Sequence, residues 1–378
     1  MSNIVEPAHE AAPTVQLDNI ASGDARLTSE LTCAPPRGQN LFARGDVLFS
    51  KLRPYLSKSL LVDRPMNGSG EFLCLRPHGT LEARFLLYLT LSHAWLEHAN
   101  QSSYGSKMPR TSWEAMSEFR LPNLNMETQR RIVDFLDDRV ARIDQIIAAR
   151  ENQQRLADDA FRSGLESQFE ASSHRPLKTL LTSVTSGPRG WGDLVADVGT
   201  PFVRIANLSP LGIELTESDW AKVVMPSDAE AKRASLSSGD VLLSITAVFG
   251  EVGVWRHGEG TFSQHVSRLR PVDPDDADWI AWFLQSPMAH DQYDQLAYGG
   301  TKASMGLEQV RNLSVPDVPR LKRRETRCRL ASMWTAHQHG VVALQRQVSS
   351  LREYKQSLIT AAVTGEFDVT TASTRIPE

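Results

Sequence analysis

At 378 residues, with 41% hydrophobic and 23% charged side chains, the chain has the composition of a soluble globular protein with room for two domains. No apolar run approaches the ~20 residues of a membrane span, and the N-terminus lacks the basic-then-apolar order of a signal peptide, so no membrane partner is expected. The net charge of −4 speaks against nonspecific nucleic-acid binding, but charge is unevenly spread: Arg37, Arg44, Lys51, Arg53, Lys58 and Arg64 form one basic cluster, and Arg320 to Arg329 hold another. Cys33, Cys74 and Cys328 are odd in number and lack ligand-like spacing, which reads as reduced thiols of a cytoplasmic protein.

In chain order, residues 1–14 read as a loose polar tail. From 15 to 125 short β-branched and aromatic runs, such as Asp46-Val47-Leu48-Phe49 and Glu71-Phe72-Leu73-Cys74-Leu75, alternate with Gly, Pro and Asn turns. A helix is expected from Ala83 to Ala99, where Phe85, Leu89 and Leu96 share a face. A long helix should occupy 126–170, its seam formed by Val133, Leu136, Val140, Ile143 and Ile147. The second mixed domain, 171–319, contains the strand-like runs Phe202-Val203-Arg204-Ile205 and Val241-Leu242-Leu243-Ser244-Ile245, with a helix expected over Trp279 to Leu284. A second long helix is expected over 320–365, ending at Gly365, with 366–378 as a tail. Its stripe includes Val341, Leu344, Val348, Leu351 and Leu358 in alternating steps of three and four, with His337 and Lys355 as polar, register-setting members.

The sequence repeats itself. Gly45-Asp46-Val47-Leu48-Phe49-Ser50 returns as Gly239-Asp240-Val241-Leu242-Leu243-Ser244, an offset of 194. Gly105-Ser106-Lys107 returns as Gly300-Thr301-Lys302, and Leu121-Pro122 as Val315-Pro316, each pair leading into a long helix. Such a period exceeds the ~20–50 residues of a solenoid unit and implies two homologous domains, each with a helical appendage. A long helix with one narrow apolar stripe must bury it, and the other copy's helix is the nearest partner. The expected fold class is therefore α+β, two mixed α/β domains joined by two long helices in an antiparallel coiled coil.

Catalytic signatures do not appear. There is no Walker A loop, no GxGxxG, no HExxH and no Asn-Pro-Pro-aromatic tetrapeptide, so neither a cofactor, a metal nor a catalytic residue is assigned. Asp228, Glu230 and Lys232 mimic part of a nuclease site but sit in a stretch that reads as a polar helix or loop. On residues alone, a DNA-reading subunit and a coiled-coil scaffold that recruits proteins both remain open.

Four stretches carry a resemblance. They are 45–56 with 71–77, then Gly105-Ser106-Lys107-Met108-Pro109-Arg110-Thr111-Ser112-Trp113, and finally 351–369, which holds Leu358-Ile359-Thr360-Ala361-Ala362-Val363-Thr364-Gly365-Glu366-Phe367. Together these resemble the specificity subunit of type I restriction–modification systems, over nearly the whole chain. The resemblance implies two target-recognition domains, each reading half of a bipartite site in double-stranded DNA. It also implies spacer helices that set the gap and dock two methyltransferase subunits, which would hold the S-adenosylmethionine; restriction subunits are a further possible partner. For DNA contact the expected residues are Lys51, Arg53, Lys58, Lys107 and Arg110 in the first domain, and Arg204, Asn207, Gln264, His265, Arg268 and Lys302 in the second. The sequence departs from a perfect duplication at its start. The second copy has a full lead-in from Pro176, whereas only 14 unlike residues precede Val15.

Overall fold

The computed structural model describes residues 1–8, 12–32, 39–218, 220–226, 229–296 and 304–369. The chain folds into two compact units, one holding residues up to Glu151 with those from Gln345 on, the other Asn152–Leu344. Each unit is a mixed α/β domain with a segment of both long helices.

In the first unit the main sheet is antiparallel, in the order Ser2–Asn3, Phe72–Arg76, Val47–Ser50, Ser59–Leu61. In the second unit the order is Leu181–Ser186, Val266–Pro271, Val241–Thr246, Val248–Val254. The two sheets have the same topology. One strand pair of a second, smaller sheet repeats as well: Thr14–Val15 runs parallel to Met66–Ser69, as Thr200–Val203 runs parallel to Thr261–Phe262. The central strands Val47–Ser50 and Val241–Thr246 are buried on both faces, which is why they read as continuous β-branched and aromatic runs.

The N-terminal segment departs from the expected loose tail. Ser2 and Asn3 pair with Arg76 and Leu75, the edge place that Ser183 and Val184 take beside Arg270 and Leu269. Unpaired backbone on the edge of Phe72–Arg76 would otherwise face solvent, so even two residues gain by pairing. The short lead-in of the first copy therefore supplies a shortened edge strand.

The helix expected over 83–99 is two helices, Ala83–Leu91 and His93–Gln101. Ser92 is extended and fully buried; its hydroxyl donates to the Leu89 carbonyl and accepts from the Trp95 N–H, ending one helix and capping the next. Ser286 does the same between Ala277–Leu284 and Pro287–Leu296.

The long helices are Met126–Ser167 and Arg320–Thr364, and in each unit their segments pair antiparallel. In the first unit Ile143, Ile147 and Val348 are buried together with Leu351 and Leu358 alongside, while Val133 and Leu136 join Ile359, Ala362 and Val363 in the domain core, with Val140 at its margin. Lys355, only 6% exposed, donates to Asp24 at 2.5 Å and Asp144 at 2.7 Å, so its charge is compensated from the facing helix and the neighbouring domain. In the second unit Phe161, Leu165 and Leu330 enter the core, His337 sits 2.7 Å from Asp158 and stacks on Trp334, Val341 is buried and Leu344 half-buried. The paired segments thus include Lys355 in the first unit and His337 in the second, each held by an aspartate.

Candidate nucleic-acid interface

A strained turn at the end of one strand begins the site in both units. Beyond Val47–Ser50, Arg53 (φ 49°) and Ser57 (φ 50°) adopt left-handed backbone on either side of the 3₁₀ turn Pro54–Leu56. In the second unit Ala247 (φ 63°), 194 residues after Arg53, adopts the same conformation, followed by Gly250 at φ 81°. Left-handed backbone costs a non-glycine residue roughly 1–3 kcal/mol, so the surroundings must hold it.

A following loop does so. Leu52 bridges Arg110, the Thr111 N–H donates to the Lys51 carbonyl at 3.0 Å, and the Arg53 N–H donates to the Pro109 carbonyl at 2.7 Å. In the second unit Thr246 bridges Ser304, and the Met305 N–H donates to the Ile245 carbonyl at 2.9 Å. The first loop closes on itself through two hydrogen bonds between Tyr104 and Arg110, around Gly105 at φ 91°. Its tip exposes Lys107 and Met108. Lys302, the matching lysine of the second copy, lies outside the described residues.

A third segment completes the edge. The Lys51 N–H donates to the Glu71 carbonyl at 2.8 Å, and the Ile245 N–H to the His265 carbonyl at 3.1 Å. In the first unit the Arg110 guanidinium grips Glu71 through Nε and Nη2 at 3.1 and 3.0 Å. In the second, His265 Nδ1 is 2.8 Å from Thr246 Oγ1, and Gln264 Nε2 is 3.2 Å from His265 Nε2. A groove of about 570 Å³ opens beside them, lined among others by Phe202, Arg204, Gln264 and His265.

Of the residues expected to touch DNA, Lys51, Arg53, Lys107 and Arg110 thus lie on neighbouring segments of the first unit, and Arg204, Gln264 and His265 on one groove of the second. Three others serve the fold. Lys58, with its side chain 15% exposed, donates to the Leu17 carbonyl at 2.7 Å. Asn207, 2% exposed, accepts from the Arg204 N–H at 3.0 Å and donates to the Thr216 carbonyl at 3.3 Å; Asn19 receives the Gln16 N–H in the same way. Arg268, 4% exposed, donates to the carbonyls of Arg233 and Ser235 and to Ser183 Oγ. Burial, then the nearby Arg270 charge, lowers its pKa. Lys58 Nζ, the Asn207 amide and the Arg268 Nη groups are spent on backbone and neighbours, so drawing any of these atoms to DNA would leave buried polar groups without partners. Glu71 and Thr246 were missed; the repeat could have found Glu71, because the offset of 194 places it on His265.

The edge offers what duplex recognition needs. Exposed lysine and arginine fix register on phosphates, while amide, imidazole, carboxylate and guanidinium groups suit base edges. Among the described residues no group of three or more His, Cys, Asp or Glu is placed to hold a metal ion. No helix among them is long and apolar enough to cross a membrane.

The family pattern described as "Type I restriction modification DNA specificity domain" matches residues 35–154, which include the first hairpin, the lysine loop and the start of the first long helix. The specificity subunit of the type I restriction enzyme HindI from Haemophilus influenzae is 26% identical over 115 residues, a stretch that spans 28% of this chain and 25% of that protein. A solved structure from work on complex assembly and conformational transition of the type I restriction–modification system is 19% identical; the match covers 94% of this chain and 92% of that one, with a TM-score of 0.70. The HsdS subunit from Thermoanaerobacter tengcongensis is 20% identical over 94% of this chain and 91% of its own, with a TM-score of 0.46. Beyond residue 154, where the family pattern ends, the second unit repeats the four-stranded antiparallel sheet of the first and the parallel strand pair beside it. Residues 35–154 thus match the type I restriction–modification DNA specificity domain, and over nearly its whole length the chain shares the fold of the solved structure from the type I restriction–modification system.

Proposed function

We propose that this chain is the DNA-reading, non-catalytic subunit of a type I restriction–modification complex and that it reads a bipartite site. Each unit takes one half-site, and the two long helices set the number of unspecified base pairs between them. Methyltransferase subunits dock on the chain and hold the S-adenosylmethionine.

The observation that carries this reading is the duplication of one edge. A strained hairpin turn, a bridged loop and a polar third segment recur in both units with the same hydrogen bonds, although the side chains they display differ. Selection for folding alone does not call for two left-handed non-glycine positions at matching places, because glycine would cost less there. Two like frames with unlike side chains suit a target with two unlike halves.

Methylome sequencing of the host with and without the gene tests the reading. A methylated motif with two specified parts and an unspecified gap should vanish on deletion. Loss of a continuous motif, or of none, would overturn the proposal. Methyl transfer from labelled S-adenosylmethionine by the purified chain alone would overturn its non-catalytic part.

A further inference from the structure

One position separates the two units chemically. Glu71 and His265 occupy equivalent places, accepting the backbone N–H of Lys51 and of Ile245, 194 residues apart, yet one is a carboxylate tied to a guanidinium and the other an imidazole tied to an amide. Resting on the DNA-reading function above, we propose that this position decides the base pair each unit reads: a G·C pair through Arg110 and Glu71, and an A·T pair through Gln264.

In the first unit Arg110 spends one Nε and one Nη2 proton on Glu71, out of five N–H donors. The remaining donors lie along the outer edge of the guanidinium. Both side chains keep access to solvent, 43% for Arg110 and 35% for Glu71. The pair therefore offers two donors beside a carboxylate that still has lone pairs. In the major groove a G·C pair presents guanine N7 and O6 as acceptors and cytosine N4 as donor. An A·T pair would set the carboxylate against thymine O4, acceptor against acceptor.

In the second unit the contacts form a chain. With the imidazole neutral and Gln264 Nε2 donating, His265 Nε2 accepts and its Nδ1–H faces Thr246 Oγ1 at 2.8 Å. This relay of two hydrogen bonds holds the amide plane. It leaves Gln264 Oε1 and one N–H side by side, the complement of adenine N6 and N7. Thr246 is a positioning residue here, acting through His265.

The test uses the affinity-tagged full chain expressed in its own host, so that its native subunits accompany it, to select duplexes from a randomised library. Gln264→Ala should retain total DNA within about threefold and lower the preference for one A·T pair by roughly tenfold or more. Thr246→Val, which keeps the glutamine, should relax the same pair by less. Glu71→Gln should relax one G·C pair in the other half of the motif. Wild-type protein that enriches no sequence would overturn both this proposal and the DNA-reading function. An enriched motif left unchanged by all three variants would overturn this proposal alone, as would relaxation of a G·C pair by Gln264→Ala. Loss of all DNA retention by Gln264→Ala at unchanged melting temperature would assign the residue to general grip and likewise overturn base reading.

Discussion

Asp46 accepts two hydrogen bonds from Arg76, Nε at 2.7 Å and Nη2 at 2.8 Å, and Asp240 accepts the same two from Arg270, both at 2.7 Å. Each carboxylate is 1% exposed and also takes a backbone N–H, from Ala43 at 2.8 Å or Ser237 at 2.7 Å. The glycine before each aspartate has φ near +90°, 91° at Gly45 and 93° at Gly239. The Gly-Asp landmark that exposes the repeat is therefore a folding device, pinning the turn before one strand to the strand paired beside it.

Removing one of these carboxylates should be costly. Asp46→Ala leaves the Arg76 guanidinium and the Ala43 N–H without their buried acceptor, and about 3–5 kcal/mol of stability should be lost in urea melts. A pH dependence accompanies this. Burial alone would raise the Asp46 pKa; hydrogen bonds from Arg76, the Ala43 N–H and Cys74, with the Arg76 charge, outweigh it and hold the carboxyl below its ordinary value. Because the folded pKa is depressed, the stabilisation is complete above the unfolded value of about 4 and is lost as pH falls through the folded one. The stability gap between wild type and Asp46→Asn should narrow from pH 7 to pH 3. A gap that stayed constant would dismiss the ionised carboxylate as its source.

Cys74 and Cys328 should differ in reactivity. Burial, followed by the charge and hydrogen bond of Asp46, pushes the Cys74 thiol far above its usual pKa. Cys328 is exposed on the second long helix. At pH 8 an alkylating reagent should modify Cys328 and spare Cys74 in the native protein, and reach both after denaturation. Equal labelling rates of these two peptides in native protein would contradict the buried thiol.

How much of this was readable depended on the range of the forces involved. Long helices declare themselves through the periodicity of side chains such as Ile143, Ile147 and Val348, because one buried stripe repeats over many turns. The break at Ser92 was hidden, since a serine that caps a helix shows no glycine or proline. Exposure of basic and polar side chains was harder still. Lys58 and Lys107 look alike in sequence, and only tertiary contacts spend one on the Leu17 carbonyl and leave the other at a loop tip. The burial of Asn207 and Arg268 was hidden for the same reason: their partners lie across a turn or on other segments. Ser2 and Asn3 carry no strand signal of their own; the open edge of Phe72–Arg76 orders them.

The helix seam can be tested by truncation. Ile143 is 4% exposed against Val348 and its neighbours, so Ile143→Ala should cost roughly 2–5 kcal/mol. Leu156, 52% exposed on the same helix, should cost under about 0.5 kcal/mol when changed to alanine. Thermal melts that moved equally for both would show that the stripe does not bear the packing.

Lys107 and Lys58 supply the sharpest contrast. Lys107 is exposed at the tip of a loop whose glycine allows close approach to a phosphate, whereas Lys58 Nζ lies against the Leu17 carbonyl at 2.7 Å. Lys107→Ala should leave the melting free energy within about 0.5 kcal/mol. It should weaken duplex binding by the assembled complex and reduce the salt slope by about one unit, as expected for one lost phosphate contact. Lys58→Ala should act in the opposite sense, lowering stability by about 1–3 kcal/mol because the Leu17 carbonyl loses a charged donor, while the salt slope stays the same. Anisotropy titrations at several salt concentrations, run beside urea melts of each variant, distinguish the two. A salt slope reduced by Lys58→Ala and untouched by Lys107→Ala would show that the loop tip faces away from the DNA.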